Sequence, residues 1–346
     1  MTASAEKTQR ISTSDSGGSA PNPEGGTSTS TGPMRRLAIL AVTNIYPSAS
    51  RQGAGSFVEQ QVEGLRRIGA RVEVVFIDRR THGRLAYLSA HRIVAEAAAR
   101  FRPDIVHAMY GGILGWQALR GAGGYPKVIT FHGSDVMGAG PAGIASRLGG
   151  MVAVAASRRA SLRADRVIAV SSRLASRLPA GVEPELIPCG IDLSRFRPLD
   201  RDESCLKLGW DPKEFHVVFQ NNHGVAVKRQ WLAEAAVEAA RRLGVPARFQ
   251  LLRGIPNADV PTFLSAGDCL LLTSSHEGSP TVVKEALACG LPVVSVDVGD
   301  VADRLAGVDG CHLEEPDPEM LARRLAQVAA RACRVDAGAA LEELSI

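Results

Sequence analysis

The chain has 346 residues, which is enough for two domains of ordinary size. Hydrophobic residues make up 45% and charged residues 22%, a soluble globular balance, and no apolar run approaches the roughly 20 residues that cross a bilayer. The six cysteines form no C-x-x-C pair, which argues against a structural zinc site or a thioredoxin-like centre.

The first segment, residues 1–33, is rich in Ser, Thr, Gly and Pro and has no apolar central part. This composition predicts a disordered tail rather than a secretory signal, and folding is expected to begin near Met34. Without such a signal we predict a cytoplasmic protein with reduced cysteines.

The net charge of +4 conceals an asymmetry between the two halves. Residues 34–190 contain 21 Lys and Arg against 10 Asp and Glu, whereas residues 191–346 contain 17 against 23. A basic first half is expected to meet an anionic partner. The alternative is a solvated, arginine-rich surface with no such role.

Short apolar, β-branched runs alternate with helical patterns throughout the first half. A helix is predicted over 56–68, where apolar residues recur at helical spacing. The predicted strands are 37–43, 71–77, 104–108, 127–131 and 166–171. Because these strands are continuously apolar and separated by helices, they predict a parallel sheet covered on both faces.

The second half repeats this pattern after a connector rich in Pro, Gly and Arg at 186–200. The predicted strands are 216–220, 247–253, 269–274, 292–296 and 311–313, and the predicted helices lie near 228–243, 257–267, 280–289 and 317–332. We therefore predict an α/β protein of two doubly wound domains, 34–190 and 191–346, whose facing strand ends form a ligand cleft. No G-x-G-x-x-G follows the first strand, which argues against a dinucleotide oxidoreductase.

Two glutamates, Glu277 and Glu285, are separated by seven residues in a strand–loop–helix–strand stretch. Ser279 is predicted as the helix N-cap, with Pro280 at the first helical position and Gly290 just beyond the end. Glu285 lies about 200° around the helix from the packed stripe at 100° per residue, so it should face water or a ligand.

The start of this helix offers unpaired backbone N–H groups and partial positive charge, and Gly278 permits close approach. A diphosphate could bind there, with hydroxyl groups of the same ligand reaching the two carboxylates. The alternative, a loop glutamate and a solvated helix glutamate, is commonplace.

The run EGSPTVVKEALACGLPVVSVDVGDVAD resembles the motif of glycosyltransferase family 4, also described as glycosyl transferases group 1. Members are retaining enzymes of the GT-B fold, in which two Rossmann-like domains face each other. The resemblance implies that Glu277 contacts hydroxyls of the donor sugar and Glu285 those of the ribose. It also implies backbone contacts to sugar and diphosphate from Gly278, Ser279, Pro280, Thr281 and Val282.

Other segments are similar to the same family across nearly all of 34–333. TFHGSD implies that His132 lies near the donor sugar or the reacting centre, and the Gly-rich loop with Gly53 and Gly55 implies a phosphate or sugar contact. The connector IPCGIDLSRFRP carries Cys189 where the family usually has Asn.

The helix start near Lys228 matches the lysine that neutralises the leaving diphosphate in the family. The family's upstream arginine is missing, because Asn222 or His223 stands near its place. Arg229 is the predicted substitute.

The resemblance therefore predicts a retaining glycosyltransferase that moves a sugar, most simply from a UDP-sugar, to an acceptor hydroxyl in polysaccharide, glycolipid or natural-product synthesis. We expect no metal cofactor and no nucleic-acid partner. Residues 145–166, rich in arginine, could contact an anionic membrane at its inner face, or be a solvated helix face. A nucleotide-sugar epimerase and a non-catalytic donor-binding scaffold are the alternative functions.

Overall fold

The computed structural model describes residues 36–47, 55–78, 83, 86–138, 143–221 and 225–345. The predicted tail over 1–33, Gly53, and the pair Asn222 and His223 lie outside the described residues.

The first half builds a six-stranded parallel sheet in the order β2-β1-β3-β4-β5-β6. Its strands are β1 (Ala38–Thr43), β2 (Arg71–Phe76), β3 (Ile105–Ala108), β4 (Lys127–Phe131), β5 (Arg166–Ala169) and β6 (Glu185–Leu186). Every residue of β1 is buried, as expected for a central strand covered on both faces. The helices described around this sheet are α1 (Ser56–Arg67), α2 (Ala86–Phe101), α3 (Gly112–Gly121), α4 (Ser134–Met137), α5 (Gly143–Ser161) and α6 (Ser172–Ala175).

The second half builds a five-stranded parallel sheet in the order β11-β10-β9-β7-β8. Its strands are β7 (Phe215–Gln220), β8 (Ala247–Leu252), β9 (Cys269–Leu272), β10 (Val293–Ser295) and β11 (His312–Leu313). The helices described here are α7 (Arg201–Leu208), α8 (Gln230–Arg242), α9 (Val260–Ala266), α10 (Thr281–Ala288), α11 (Val301–Leu305), α12 (Pro318–Arg331) and α13 (Gly338–Leu341), with 3₁₀ turns at Ala226–Lys228 and Glu342–Leu344. Each sheet has its own large apolar core.

The predicted α/β class with two parallel sheets is confirmed, and each predicted strand has a counterpart within about two residues. The sequence missed β6, because its two exposed residues carry no apolar pattern. The helix predicted over 228–243 is interrupted at Arg229, whose φ of 49° is left-handed and separates the 3₁₀ turn from α8.

The prediction of Ser279 as the N-cap of α10 is wrong. The N-cap is Pro280, and the helix begins at Thr281. The Ser279 hydroxyl instead donates to Asp300 Oδ2 at 2.8 Å and accepts from Lys284 Nζ, and no side chain caps the helix. Gly290 follows the helix with a φ of 71°, as the predicted stop requires.

The connector is tied to the carboxyl-terminal residues of the chain. Ile191 N–H donates to the Leu344 carbonyl at 2.7 Å, and Ile191 pairs with Ser345 in an isolated parallel bridge. All six cysteines are free thiols. Among the described residues, no helix has the length and apolar composition needed to span a bilayer.

Candidate active site

A cavity of about 310 Å³ lies where carboxyl ends of strands from both sheets meet. The first half supplies residues that follow β1, β3 and β4, and the second half supplies residues at or after the ends of β7 and β9. Among the predicted site residues, those that line it are Gly55, His132, Lys228, Glu277, Gly278, Ser279, Pro280 and Thr281. This placement matches the general rule for ligand sites in open α/β sheets.

His132 follows directly after β4 and is packed between two aromatic rings. Its ring centroid lies 4.7 Å from that of Phe57 and 5.8 Å from that of Tyr110, with the Tyr110 ring nearly parallel. Burial, followed by the nearby His107, lowers the pKa of His132 to about 3, so the imidazole is neutral at physiological pH. Its Nδ1 lies 3.5 Å from the Cys189 sulfur, and its buried Nε2 has no protein partner among the described residues.

Asp135 fixes the backbone that carries His132. Its carboxylate accepts hydrogen bonds from the amides of His132, Gly133 and Gly111, at 2.8–3.2 Å. The side chain is 3% exposed, and burial raises its pKa despite these bonds. Asp135 is therefore a structural residue of this loop. His107, buried within β3, is also structural, because its Nε2 lies 2.7 Å from the Thr130 hydroxyl.

Lys228 and Glu277 form an ion pair in the cavity wall. Lys228 Nζ donates to Glu277 Oε1 at 2.7 Å, and both side chains are less than one-fifth exposed. The sequence places them 49 positions apart, and the shared carboxyl edge of β7 and β9 brings them together. The cavity therefore offers one cation and one carboxylate side by side.

Gly278 is packed against the first half so closely that no side chain fits. A Cβ built on Gly278 would lie 1.8 Å from the His132 carbonyl oxygen. Gly55 is similarly constrained, because its φ is 77° and its Cβ would lie 2.7 Å from Ile45. Glycine is thus required at these two points by the approach of one backbone to another.

The first turn of α10 borders the cavity through Pro280 and Thr281. No side chain caps this helix, so the partial positive charge of its first turn is kept at the edge of the cavity. Val282 is 1% exposed and belongs to the core, so only its backbone could serve a ligand.

Glu285 lies in a separate, smaller cavity of about 20 Å³. This cavity shares Ser56 and Gln220 with the larger one, so the two are adjacent. Glu285 is 4% exposed, which excludes the solvent-facing alternative raised by the helix pattern. Burial raises the pKa of its carboxyl to about 7, and the charges of Arg195 and Lys284 oppose this only in part.

Arg229 departs from its predicted role. Its guanidinium donates to the carbonyls of Thr273 and Ser274, at 2.5 and 2.9 Å, and it does not line the large cavity. Burial lowers its pKa. The residue braces the end of β9 against the start of α8, so it is not placed to replace the missing arginine.

The sequence did not single out several residues that the fold brings to the cavity. Phe57 and Tyr110 line it beside His132, and Cys189, noted only as a departure from the family motif, contacts the same imidazole. Apolar and aromatic residues of this kind are indistinguishable from core residues in a sequence pattern. Among the described residues, no group of three or more His, Cys, Asp or Glu is arranged to hold a metal ion.

Solved structures share this arrangement of two parallel-sheet domains. Sucrose-phosphate synthase from Thermosynechococcus elongatus matches with a TM-score of 0.70 at 19% identity, over 89% of this chain and 94% of that chain. HepE from Anabaena, solved with UDP and glucose, matches with a TM-score of 0.60 at 19% identity, over 90% and 96%. The fold is that of the GT-B glycosyltransferases.

Family models and curated relatives give a narrower assignment. The model for Glycosyltransferase Family 4 matches residues 49–195, and that for Glycosyl transferases group 1 matches 232–332. The chain belongs to this glycosyltransferase family, and it is an enzyme that uses a nucleotide-sugar donor.

Two relatives illustrate the spread of the family. The putative teichuronic acid biosynthesis glycosyltransferase TuaC of Bacillus subtilis is 27% identical, over 77% of this chain and 82% of its own length. The D-inositol 3-phosphate glycosyltransferase of Rhodococcus erythropolis is 30% identical over 60% of this chain, but the match covers just over half of that protein.

Proposed function

We propose that this enzyme transfers a sugar from a UDP-sugar to an acceptor hydroxyl with retention of the anomeric configuration. The observation that carries the proposal is the joint position of Lys228, Glu277 and the uncapped start of α10 on one cavity. A cation and a helix N-terminus stabilise a departing diphosphate, and a carboxylate accepts hydrogen bonds from sugar hydroxyls.

His132 approaches the same cavity from the other half of the chain. Because the imidazole is neutral and lines the cavity, it can offer a sugar hydroxyl a ring N–H donor or a ring nitrogen acceptor. We propose that Glu277 and His132 hold the donor sugar from opposite sides. Glu285, in the adjoining cavity, then accepts hydrogen bonds from the ribose.

The choice of UDP follows from the family resemblance and from similar proteins of the same fold. HepE was solved with UDP, whereas a relative in Mycolicibacterium smegmatis is named a GDP-mannose-dependent alpha-mannosyltransferase. The test is the thermal melting point with UDP, GDP and ADP, followed by turnover of the matching nucleotide sugars. A rise in melting point with GDP alone would make GDP, in place of UDP, the nucleotide of the proposed donor.

Turnover assays also separate the alternative functions. A transferase releases nucleotide only when an acceptor or water takes the sugar, whereas an epimerase alters the donor without an acceptor, and a scaffold binds without turnover. A putative UDP-N-acetylglucosamine 2-epimerase from Listeria monocytogenes shares the fold with a TM-score of 0.52. Retention is read from the anomeric proton coupling of the product, and product of inverted configuration would refute it.

Leaving-group stabilisation is assigned to Lys228 and α10 rather than to a metal. Treatment with EDTA is therefore expected to leave turnover unchanged, and loss of turnover that Mg²⁺ restores would contradict this assignment.

We also propose that α5 contacts an anionic membrane surface. Leu148, Met151 and Val152 are more than half exposed, and Arg158 and Arg159 are exposed further along the helix. Apolar and cationic groups together favour an anionic bilayer surface. Vesicle binding should require anionic lipid, fade with salt and weaken in Met151→Asp. Equal binding to neutral vesicles would refute the electrostatic part.

A further inference from the structure

Lys284 is a lysine with no exposed surface at all. It lies in α10, next to Glu285 in the sequence, and does not itself line the large cavity. Lysine is rarely buried completely, because an ammonium group loses its hydration there unless the protein supplies partners.

The partners of Lys284 come from three separate segments. Its Nζ donates to the Cys189 carbonyl at 2.8 Å and to the Ser279 hydroxyl at 2.5 Å, and it lies 3.6 Å from Asp300 Oδ2. The Ser279 hydroxyl in turn donates to the same Asp300 oxygen at 2.8 Å. The ammonium therefore joins the connector, the loop before α10 and the loop before α11.

Two of these segments form the wall of the large cavity. Ser279 and Cys189 both line it, and the Cys189 sulfur lies 3.5 Å from His132 Nδ1. Lys284 therefore lies directly behind the cavity wall. It contacts Ser279, in the same loop as Glu277, and Cys189, whose sulfur lies beside His132. Displacing Lys284 would disturb both predicted sugar contacts at once.

The local charge is not balanced. Asp300 faces Lys284 and also Arg304, whose Nε lies 3.5 Å from the same Asp300 oxygen. The Glu285 carboxyl, whose pKa is raised to about 7, offsets the second cation only in part near neutral pH, so this cluster keeps net positive charge behind the uncapped start of α10. Burial lowers the pKa of Lys284, and Asp300 opposes that effect.

A purely structural role accounts poorly for this arrangement. Buried ion pairs contribute little net stability compared with well-packed apolar residues of similar volume. An excess of buried positive charge is unfavourable by itself, but it becomes favourable when an anion binds close by.

We infer that Lys284 is a positioning residue of the donor site, which braces the Ser279 loop against the connector and supplies fixed positive charge for the diphosphate. The inference rests on the proposed function, because it needs a nucleoside diphosphate at the start of α10.

The test compares two ligands in one variant. Lys284→Met keeps the length of the side chain and removes its charge. Calorimetry gives the dissociation constants of each nucleoside diphosphate and of its nucleoside. The three pairs are UDP and uridine, GDP and guanosine, and ADP and adenosine. We expect the preference for diphosphate over nucleoside to fall about tenfold, or ~1.4 kcal/mol. Lys207→Met, at an exposed lysine of α7, is the matched control and should leave the preference unchanged.

The outcomes separate the inference from the proposed function. If wild-type protein binds none of the three diphosphates, the proposed function fails. If it binds one, and Lys284→Met weakens diphosphate and nucleoside equally or weakens neither, the proposed function stands and the charge role of Lys284 is refuted.

A second measurement needs no variant and therefore covers a failure of Lys284→Met to fold. The ammonium of a buried lysine exchanges slowly with water, so its ¹⁵N resonance can be titrated with pH in wild-type protein. Binding and protonation are reciprocally linked, so inorganic pyrophosphate should raise the pKa of Lys284. An unchanged pKa with pyrophosphate bound would overturn the inference.

Discussion

Replacing Glu285 by glutamine is expected to stabilise the fold at alkaline pH while it weakens donor binding. The carboxyl is 4% exposed and has no ion pair among the described residues. Its pKa is about 7, raised by burial from the ordinary value of 4.5. Glutamine keeps the shape of the side chain and cannot ionise.

The magnitude follows from the linkage between protonation and folding. Between about pH 4.5 and pH 7 the folded state keeps a proton on Glu285 that the unfolded state has lost, so stability falls as pH rises through this window. Well above pH 7 the loss is complete and amounts to at most ~3.4 kcal/mol, from a shift of about 2.5 pH units at 1.36 kcal/mol each. Glu285→Gln removes this loss at pH 8.5 and changes it little at pH 4.5.

Thermal unfolding of wild type and Glu285→Gln at pH 4.5 and pH 8.5 measures the effect. The variant should gain several degrees relative to wild type at the higher pH. Glu238→Gln, at an exposed glutamate of α8, is the control and should show no such difference between the two pH values. An equal change in melting temperature at both pH values would show that the carboxyl is not held in a desolvated site.

The donor side of the same experiment tests the ribose contact. A charged carboxylate accepts two hydroxyl hydrogen bonds better than an amide, so the donor KM should rise in Glu285→Gln and further in Glu285→Ala. An unchanged KM in both variants would contradict the ribose role even if the stability prediction holds.

Three further predictions concern other parts of the molecule. Lys228→Met should lower kcat by 10²–10³-fold, as expected for a lost electrostatic contact to the leaving group, and near-normal single-turnover rates would remove the residue from the mechanism. Gly278→Ala should lower kcat/KM at least tenfold, because the added Cβ would overlap the His132 carbonyl oxygen. Gly124→Ala is the control and should have no effect, because a Cβ there meets open space. Equal activities of the two variants would refute the close contact. Arg201→Met should cost roughly 2–3 kcal/mol in urea unfolding, because it leaves the largely buried Asp268 carboxylate without its guanidinium partner. Arg331→Met, at an exposed ion pair, should cost much less, and similar losses in the two variants would contradict the burial argument.

The sequence predicted the fold well, because hydrophobic periodicity and glycine or proline stops are local. Strands β1 and β9 are almost entirely apolar runs, and the alternation of such strands with helices along the chain is enough to predict parallel sheets. The two residues of β6 could not be predicted, because an edge strand of this length is defined by its neighbour and not by its own side chains.

The site was predicted less completely, because its geometry depends on contacts between distant segments. The motif around Glu277 correctly indicated residues that line the cavity. It could not show that Glu277 forms an ion pair with Lys228, which lies 49 positions earlier in the sequence. The helical pattern predicted that Glu285 points away from the packed stripe, but it could not show that Leu252 and Val260, from other elements, line the small cavity in which Glu285 is buried. The sequence also could not show that the Arg229 guanidinium binds the carbonyls of Thr273 and Ser274, because those residues lie more than 40 positions further along the chain.

The pairing of Lys228 with Glu277 bears on how the site can accept a donor. Each group stabilises the charge of its neighbour, so neither is held as an isolated, partly buried ion. A diphosphate that binds at the start of α10 offers Lys228 a stronger acceptor, and this frees Glu277 Oε1 for the sugar hydroxyls. Binding of the complete donor therefore gives both Lys228 and Glu277 new polar partners in place of each other. A free sugar offers no such partner to Lys228, which stays paired with Glu277. In the proposed donor site, this arrangement would therefore favour the nucleotide sugar over its separate parts.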